Sequence, residues 1–446
     1  MKNLTKGNIY KNFFIFALPL VFSGLFSQLY GTVDTIIAGK FIGSASLASI
    51  GATAPFLTFV HSFFWGLDAG FGICMAQNFG AKNYKKIKET IITMFSSYFV
   101  FATVIGLIFF VLRVPLLNLL KVDPKIMKET VKYFSVILLG LGFIQMQNLF
   151  LQTLNAFGES NFPFVMSLVS SAINISGNIF SVVVLKIGVL GIALSSVFSA
   201  MVVDILYFLK LRSCLYKMGV GDYKAKYNFA IIGQTKSFWL PTSFQQAVMY
   251  ISTLLLSPML NRLGADASAS YTVSYRIYNI VTCVFFGASK SISTYVAQAI
   301  GGKKLDTIKK GFRVGILQCI CFLIPILTVC IVAPNFVCGF FFESGYRGKG
   351  IEYSINFLKF FMPFVIFNLI NNAFHAFYRG TKEMNHLVAC TFFGSFMQLA
   401  VGFFLTKYFG MYGFYAGWAI SWIADAALGF ALYLTKGWRR RVGIIS

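Results

Sequence analysis

Two stretches of the chain repeat each other: FIGSASLASI (41–50) with FFWGLDAGFGICMAQNFGAKNYKKIKE (63–89), and RLGADASASY (262–271) with FFGASKSISTYVAQAIGGKKLDTIKK (285–310). Their matched residues lie 221 positions apart: Gly43 and Gly264, Gly66 and Gly287, Gln77 and Gln298, Gly80 and Gly301. A weaker pair, GVLGIA (188–193) and GMYGFY (410–415), follows at an offset of 222. The pattern predicts one structural unit used twice.

Composition places both copies in a membrane. Hydrophobic residues make up 57% of the 446 residues, charged residues only 12%, and the mean hydropathy is +0.74. A soluble domain of this length needs more polar surface. Apolar stretches long enough to cross a core of roughly 30 Å as helices of about 20 residues lie near 13–38, 51–77, 91–112, 133–156, 162–185, 187–209, 237–260, 267–300, 314–335, 354–378, 387–406 and 411–435. We predict an all-α membrane protein with twelve transmembrane helices in two pseudo-symmetric six-helix bundles.

The repeat also predicts the domain organisation. Residues 1–209 form the N-terminal bundle, the basic segment 210–236 is a cytoplasmic linker loop, and residues 237–446 form the C-terminal bundle. Because each copy has an even number of spans, both copies have the same orientation in the membrane. An internal repeat in a long apolar chain is typical of a transporter whose substrate site lies between the halves.

The net charge of +24 raises the question of nucleic-acid binding. With both ends on one side of the membrane, the tails and the loops on that side carry 24 of the 38 Lys and Arg residues. This asymmetry follows the positive-inside rule, so both termini are predicted to be cytoplasmic in a multi-pass protein of the plasma membrane. The basic clusters then serve orientation and contact with anionic lipid of the bilayer, and no nucleic-acid partner is expected.

A charged side chain at membrane depth costs roughly 2.5 to 3.5 kcal/mol, so each one needs an explanation. Asp34, in the apolar stretch SQLYGTVDTIIAG, is the strongest candidate for a cation site. A buried carboxylate requires a proton, a cation or hydrogen bonds, so proton and sodium binding there exclude each other. The alternative is a structural carboxylate paired with a neighbour, which is the role expected for Asp204 and Asp425.

Asp68 and Lys290 occupy nearly symmetric places, because Lys290 lies 221 positions after Ala69. They form either a gating ion pair that exists in one conformation or a static structural pair. Pro19 and Pro241 are near-equivalent positions in the first helix of each copy, where a proline encourages a bend. Such a bend is either a moving part or a fixed shape.

Polar residues inside the other spans predict further sites. Asn174 and Asn178 lie four apart on one helical face and either ligate a cation or join two helices. Mixtures of polar, aromatic and methionine side chains suit an adaptable cavity for organic substrates. The predicted cavity residues are Gln28, Tyr30, Gln245, Gln246, Met249, Tyr250, Asn371, Asn372 and His375. A single buried histidine is also commonly a hydrogen-bonded core residue.

Several chemistries are excluded by their missing motifs. There is no GxxxxGK[ST] loop for ATP, no HExxH or GxSxG motif, and no Cys or His pair at zinc spacing. The eight scattered cysteines are interpreted as small core residues. The chain is therefore not expected to be an enzyme or to carry a cofactor or metal, and H⁺ or Na⁺ is the expected coupling ion.

Over almost its whole length the chain resembles the multidrug and toxic compound extrusion (MATE) transporters. The resemblance is carried by Pro19, VDTIIAG with Asp34, FIGSASLASIG, MAQNFGA with its repeat VAQAIGG, LNAFGESNFP and GVLGIALSS. It implies two six-helix bundles forming a V-shaped cavity. It also implies exchange of an extracellular cation for a cytoplasmic, usually cationic and aromatic, compound.

The resemblance also assigns roles to individual residues. Asp34 matches the family's first-span aspartate, and Asn174 matches its fifth-span asparagine. Asn178 stands where some members have an aspartate, while Tyr133 and Ser196 match hydroxyl residues of the same cation pocket. Some members carry carboxylates in spans 7 and 10, where this chain has Gln and Asn, so the resemblance places coupling at Asp34.

The sequence thus predicts a monomeric secondary active exporter of small organic compounds that works by alternating access. The alternative is a flippase for a lipid-linked sugar or cell-wall precursor, which needs a strongly basic cavity for a pyrophosphate. Only Arg276 and Lys290 offer positive charge at that depth. An intramembrane enzyme or scaffold is the third possibility, and no catalytic constellation favours it.

Overall fold

The computed structural model describes residues 1–37, 42, 44–342, 348–435 and 437–442. Within those ranges it describes the backbone but not the side chains of 29–37, 44, 45, 47, 253, 254, 257, 258, 261, 265 and 440–442. The described chain is helical, with no strand among these residues. The long apolar stretches explain this, because a chain in lipid must satisfy its backbone hydrogen bonds internally.

The helices of the first copy and the linker follow the predicted spans. They are α1 (Ile9–Ile37), α2 (Ser44–Gly80), α3 (Tyr84–Val111), α4 (Arg113–Leu119), α5 (Pro124–Leu139), α6 (Leu141–Ala156), α7 (Asn161–Ile179), continued by a π turn (Phe180–Val184), and α8 (Val189–Lys217). The helices of the second copy are α9 (Ala230–Arg262), α10 (Ala265–Gly301), α11 (Ile308–Val332), α12 (Pro334–Gly339), α13 (Gly350–Asn356), α14 (Val365–Thr381), α15 (Met384–Leu434) and α16 (Gly437–Val442). Helical backbone runs through both Pro19 in α1 and Pro241 in α9.

Each of the twelve predicted spans falls on helical segments of the described chain. The fourth covers α5 and α6, and the tenth covers α13, a π turn (Phe357–Phe361), a 3₁₀ turn (Met362–Phe364) and α14. Nine described helices are long and apolar enough to cross a membrane, and the bent pair α5–α6 makes a tenth span. One of the nine, α15, has 51 residues and leaves the helical conformation at Gly410 (φ 55°, ψ −132°). Since a bilayer core needs only about 20 helical residues, α15 comprises two spans. The remaining predicted span, 237–260, lies in α9.

The fourth span is broken at Gly140, which the hydropathy pattern does not predict. The axes of α5 and α6 differ by 49° across this residue. A Cβ atom at Gly140 would lie 2.2 Å from Cγ2 of Val197 on α8. The break therefore occurs where only a glycine allows α8 to pack against the chain.

The chain divides into two compact units that exchange helix ends. The first unit comprises Met1–Asn3 and Phe26–Trp239, and the second comprises Leu4–Leu25 and Leu240–Ser446. Most of each unit corresponds to one copy of the repeat. However, the first part of α1 packs in the second unit, and residues 230–239 of α9 pack in the first. The predicted division at 209 and 237 does not include this exchange.

Glycine allows the close approach at both exchanged ends. In the first unit, a Cβ atom at Gly70 would lie 2.3 Å from the carbonyl oxygen of Phe238. In the second unit, a Cβ atom at Gly287 would lie 2.8 Å from the backbone nitrogen of Val21. The GxxxG pattern of α2 and its counterpart in α10 thus allow close helix packing.

The irregular linker in the structure is shorter than the predicted segment 210–236, and it is held against α3. Because α8 continues to Lys217 and α9 begins at Ala230, only 218–229 is irregular. The Nζ atom of Lys88 donates hydrogen bonds to the carbonyl oxygens of Val220 (2.9 Å) and Gly221 (2.6 Å). The hydroxyl of Tyr223 donates to the Glu89 carboxylate, and this bond raises the pKa of Tyr223 above its ordinary value.

Candidate functional site

A buried hydrogen-bonded chain joins α7 to α8 in the first unit. The Nδ2 atom of Asn178 donates to Oδ1 of Asn174 (2.8 Å), and Nδ2 of Asn174 donates to the hydroxyl of Ser196 (3.0 Å). That hydroxyl in turn donates to the carbonyl oxygen of Ile192 (3.0 Å). Asn174 and Asn178 are 1% and 0% exposed. The structure therefore brings together three of the predicted cation-site residues.

Small residues bring α7 and α8 close enough for this chain to form. A Cβ atom at Gly177 would lie 2.8 Å from the hydroxyl of Ser195, and one at Gly191 would lie 2.4 Å from the hydroxyl of Ser181. Tyr133 of α5 packs beside the same two helices, against an apolar cluster formed by Val182 and Ile192, with Ile175, Ile42 and Ile50. Its position next to Ile192 places it one helical turn from Ser196.

Amide and hydroxyl oxygens of this kind are ligands for hard cations. The charged ligand predicted from the sequence, the carboxylate of Asp34, belongs to helix α1, but its side chain lies outside the described residues. The same holds for Tyr30, a predicted cavity residue. Gln28 is exposed near the same end of α1. Among the groups the structure describes, no cluster of three or more His, Cys, Asp or Glu residues could hold a metal ion.

A second buried polar chain lies in the second unit. The Nε2 atom of His375 on α14 lies 3.1 Å from Oδ1 of Asp425 on α15. On the other side of the ring, Nδ1 lies 3.4 Å from Nε2 of Gln245 on α9. His375, Asp425 and Gln245 are 3%, 8% and 1% exposed. The sequence predicts Gln245 and His375 as cavity residues, but it does not predict the contact of His375 with Asp425.

Asparagines on α14 form a further polar group in the same unit. The Nδ2 atom of Asn372 donates to Oδ1 of Asn368 (2.6 Å) and to Oδ1 of Asn371 (3.0 Å). Asn368 donates to the hydroxyl of Tyr278 on α10 (2.6 Å). The structure thus joins the predicted cavity residues Asn371 and Asn372 to an aromatic helix face.

That aromatic face is not among the sites predicted from the sequence. Tyr271, Tyr275 and Tyr278 occupy one side of α10 and contact the indole rings of Trp418 and Trp422 on α15. The Tyr278 and Trp422 rings are parallel within 3°, with centroids 5.4 Å apart. The spacing YxxxYxxY in residues 271–278 is the helical signal that could have revealed it.

The remaining predicted residues are placed as follows. Gln246 and Tyr250 are partly buried on α9, and Met249 is 42% exposed. Asp68 is 1% exposed in the first unit, where it interacts with the Tyr98 hydroxyl. Lys290 is partly buried in the second unit. A pairing of Asp68 with Lys290, and bending at Pro19 or Pro241, stay predictions.

The sequence pattern of the MatE family matches residues 19–180 and, a second time, residues 241–404. The chain belongs to the MatE family. The two matches begin 222 positions apart and end 224 apart, so they also confirm the internal repeat. Membership in this family makes the chain a multi-pass membrane transporter, as the resemblance implied.

Two relatives in other bacteria carry names that refer to multidrug resistance or export. The chain is 22% identical to the multidrug export protein MepA of Staphylococcus haemolyticus, over 98% of this chain and 96% of the relative. It is also 22% identical to the probable multidrug resistance protein YoeA of Bacillus subtilis, over 70% of this chain and 69% of the relative.

The fold is that of solved MATE transporters. An outward-facing structure of a multidrug resistance MATE family transporter of the MOP superfamily superposes with a TM-score of 0.88 at 18% identity, covering 100% of this chain and 98% of the other. At this identity the likeness shows the fold alone. It confirms the predicted all-α fold of twelve helices in two pseudo-symmetric bundles.

Proposed function

We propose that this transporter is a multidrug exporter of the plasma membrane that exchanges extracellular H⁺ or Na⁺ for cytoplasmic organic compounds by alternating access, with both termini cytoplasmic. The observation that carries the proposal is the buried Asn178–Asn174–Ser196 chain in a member of a family whose relatives are named as multidrug exporters. A contact that only joins two helices would not require three linked polar side chains in a buried position, because burying apolar side chains there costs less free energy.

In this proposal Asp34 provides the charge that the coupling ion neutralises. The amide and hydroxyl oxygens of Asn174, Asn178 and Ser196 provide neutral ligands, and Tyr133 adds a hydroxyl. Cation binding from outside favours the state that releases the drug, and the return step carries the cation inward. One carboxylate with neutral oxygen ligands suits either ion.

The substrates are expected to be mostly cationic and aromatic. The tyrosine and tryptophan rings of α10 and α15 provide faces for stacking and cation–π contact. Met249 and Tyr250 of α9 add adaptable and amphipathic surface. The hydrogen-bonded asparagines of α14, Asn368, Asn371 and Asn372, are neutral amides rather than phosphate-binding cations, so this group does not favour the flippase alternative.

The test is transport of a fluorescent organic cation into proteoliposomes under separate proton and sodium gradients. We expect Asp34→Asn to abolish gradient-driven transport, while Asp222→Asn, an exposed carboxylate of the linker, keeps it. Size-exclusion profiles of both variants establish that they fold. Full transport by a folded Asp34→Asn variant would refute the assignment of coupling to Asp34. Transport of a lipid-linked sugar but of no organic cation would refute drug export.

A further inference from the structure

The polar chain of the second unit has an ordered pattern of donors and acceptors. With the Gln245 amide oriented so that Nε2 faces Nδ1 of the neutral His375 ring, the amide N–H donates and Nδ1 accepts. The ring proton of the neutral imidazole then sits on Nε2 and is donated to Asp425. Within the described part of the chain, Oε1 of Gln245 is buried and has no hydrogen-bond partner.

Nδ1 of His375 can bind one more proton, and the amide oxygen of Gln245 can accept the hydrogen bond that this proton makes. When Nδ1 of His375 binds a proton, it becomes a donor and can no longer accept from the Gln245 amide. Rotation of that amide by half a turn exchanges its oxygen and nitrogen, so that Oε1 accepts from Nδ1–H. The ring and the amide are therefore hydrogen-bonded to each other both with and without the extra proton.

Charge balance favours the state with the extra proton. With a neutral imidazole and an ionised Asp425, the site carries one net negative charge at membrane depth, which is costly. Uptake of one proton gives an imidazolium next to a carboxylate, with no net charge. Whether that proton resides on the ring or on the carboxylate, the pair as a whole binds one proton.

Two of the groups that interact with Asp425 are neutral. The thiol of Cys390 on α15 and the phenol of Tyr378 on α14 interact electrostatically with Asp425. Gly394 leaves space beside the carboxylate, since a Cβ atom there would lie 3.1 Å from Oδ2 of Asp425. Arg379 lies one turn from His375 on the same helix. The helices packed around the pair carry the following charged residues and histidine: Lys236 and Arg262 (α9), Asp266, Arg276 and Lys290 (α10), Lys309, Lys310 and Arg313 (α11), Lys382 and Glu383 (the loop before α15), His386 and Lys407 (α15), and Arg439–Arg441 (α16).

The repeat shows that this chemistry belongs to the second copy alone. Asp425 lies 221 positions after Asp204, so both copies have a carboxylate at this place. The positions 221 and 224 before His375 are Leu154 and Leu151, so the first copy has no imidazole there. The two Asp204 oxygens are buried without a hydrogen-bond partner among the described groups.

From these contacts we propose that His375, Asp425 and Gln245 form a proton-binding site in the second unit, separate from the cation pocket expected at Asp34. The orientation of the Gln245 amide changes when this site binds a proton. The proposal does not rest on drug export, because it concerns proton binding by the protein without substrate.

The experiment is a pH titration of ¹³C-histidine-labelled protein in lipid nanodiscs, followed by NMR. The chain has three histidines, so His61→Gln and His386→Gln each remove one signal and identify the third as that of His375. This assignment holds even if His375→Gln fails to fold. We expect the His375 signal to titrate, and its midpoint to fall by at least one pH unit in Asp425→Asn, a tenfold loss of proton affinity.

Matched variants separate this site from its surroundings. Gln245→Leu removes the acceptor for Nδ1–H, so the His375 midpoint is expected to fall, whereas Asp204→Asn and Asp34→Asn are expected to leave it in place.

A His375 signal that keeps one protonation state from pH 4 to 10, or a midpoint that Asp425→Asn does not change, would overturn the proposal. An unchanged midpoint in Gln245→Leu would overturn the role of the amide. Loss of transport in Asp34→Asn with an intact His375 titration would affect only the coupling proposal.

Discussion

Gly70→Ala tests whether the exchanged end of α9 is packed as closely as described. The new Cβ atom would lie 2.3 Å from the carbonyl oxygen of Phe238 and 2.4 Å from Cα of Trp239. An ordinary C···O contact is about 3.3 Å, so the two helices must move apart by about 1 Å. Both contacts are backbone atoms, which a side-chain rotation cannot relieve.

The free-energy cost of this overpacking can be compared with the gain in helix propensity from the alanine. Overpacking of this kind costs about 1–3 kcal/mol, and the clash with backbone at Gly70 favours the upper end. Alanine in place of a helical glycine returns up to about 1 kcal/mol, so the net loss is about 2 kcal/mol. For a bundle of about 200 residues this lowers the midpoint of thermal unfolding by roughly 4–8 °C.

The assay is thermal unfolding of the purified protein in detergent. Gly51→Ala is the matched control, because Gly51 is exposed on the same helix and a Cβ atom there would meet no described atom within 4 Å. We expect Gly51→Ala to raise the midpoint slightly and Gly287→Ala to lower it less than Gly70→Ala does. Equal midpoints for the Gly70 and Gly51 variants would refute the close approach of α2 to the start of α9.

Two further predictions concern the turns and the linker. Lys303 is exposed and adopts a left-handed conformation (φ 55°) that costs a non-glycine residue roughly 1–2 kcal/mol. Lys303→Gly is therefore expected to raise the midpoint of thermal unfolding. Lys304 has a φ of −96°, so Lys304→Gly is expected to lower that midpoint. Lys88→Ala removes the donor that holds the linker, so trypsin should cut within 218–229 several-fold faster than in the wild type or in Lys86→Ala; equal cleavage rates would mean that other contacts hold this segment.

The sequence predicted the number and positions of the spans well, for a physical reason. A helix that crosses a bilayer needs a long apolar stretch, and this requirement is local, so hydropathy alone reveals it. The bend at Gly140 was not predicted, because the chain has 39 glycines and most of them do not interrupt a helix. The close contact at Gly140 is with Val197, a residue of another helix, which no local pattern identifies.

The candidate sites were predicted in part. Asn174 and Asn178 were recognised by their spacing of four, and Ser196 by the resemblance to the family. The contact between His375 and Asp425 was not foreseen, because 50 positions separate them and each alone is consistent with a structural role. The equivalence of Asp425 to Asp204 at the repeat offset was available in the sequence and would have marked the position.

The exchange of helix ends also determines how the chain can be divided. Residues 4–25 complete the second unit and residues 230–239 complete the first, so neither half of the gene encodes a whole bundle. Each half, made alone, would lack a helix end that the other half supplies. A protein expressed as two fragments cut within 218–229 should accordingly fold only when both fragments are made together.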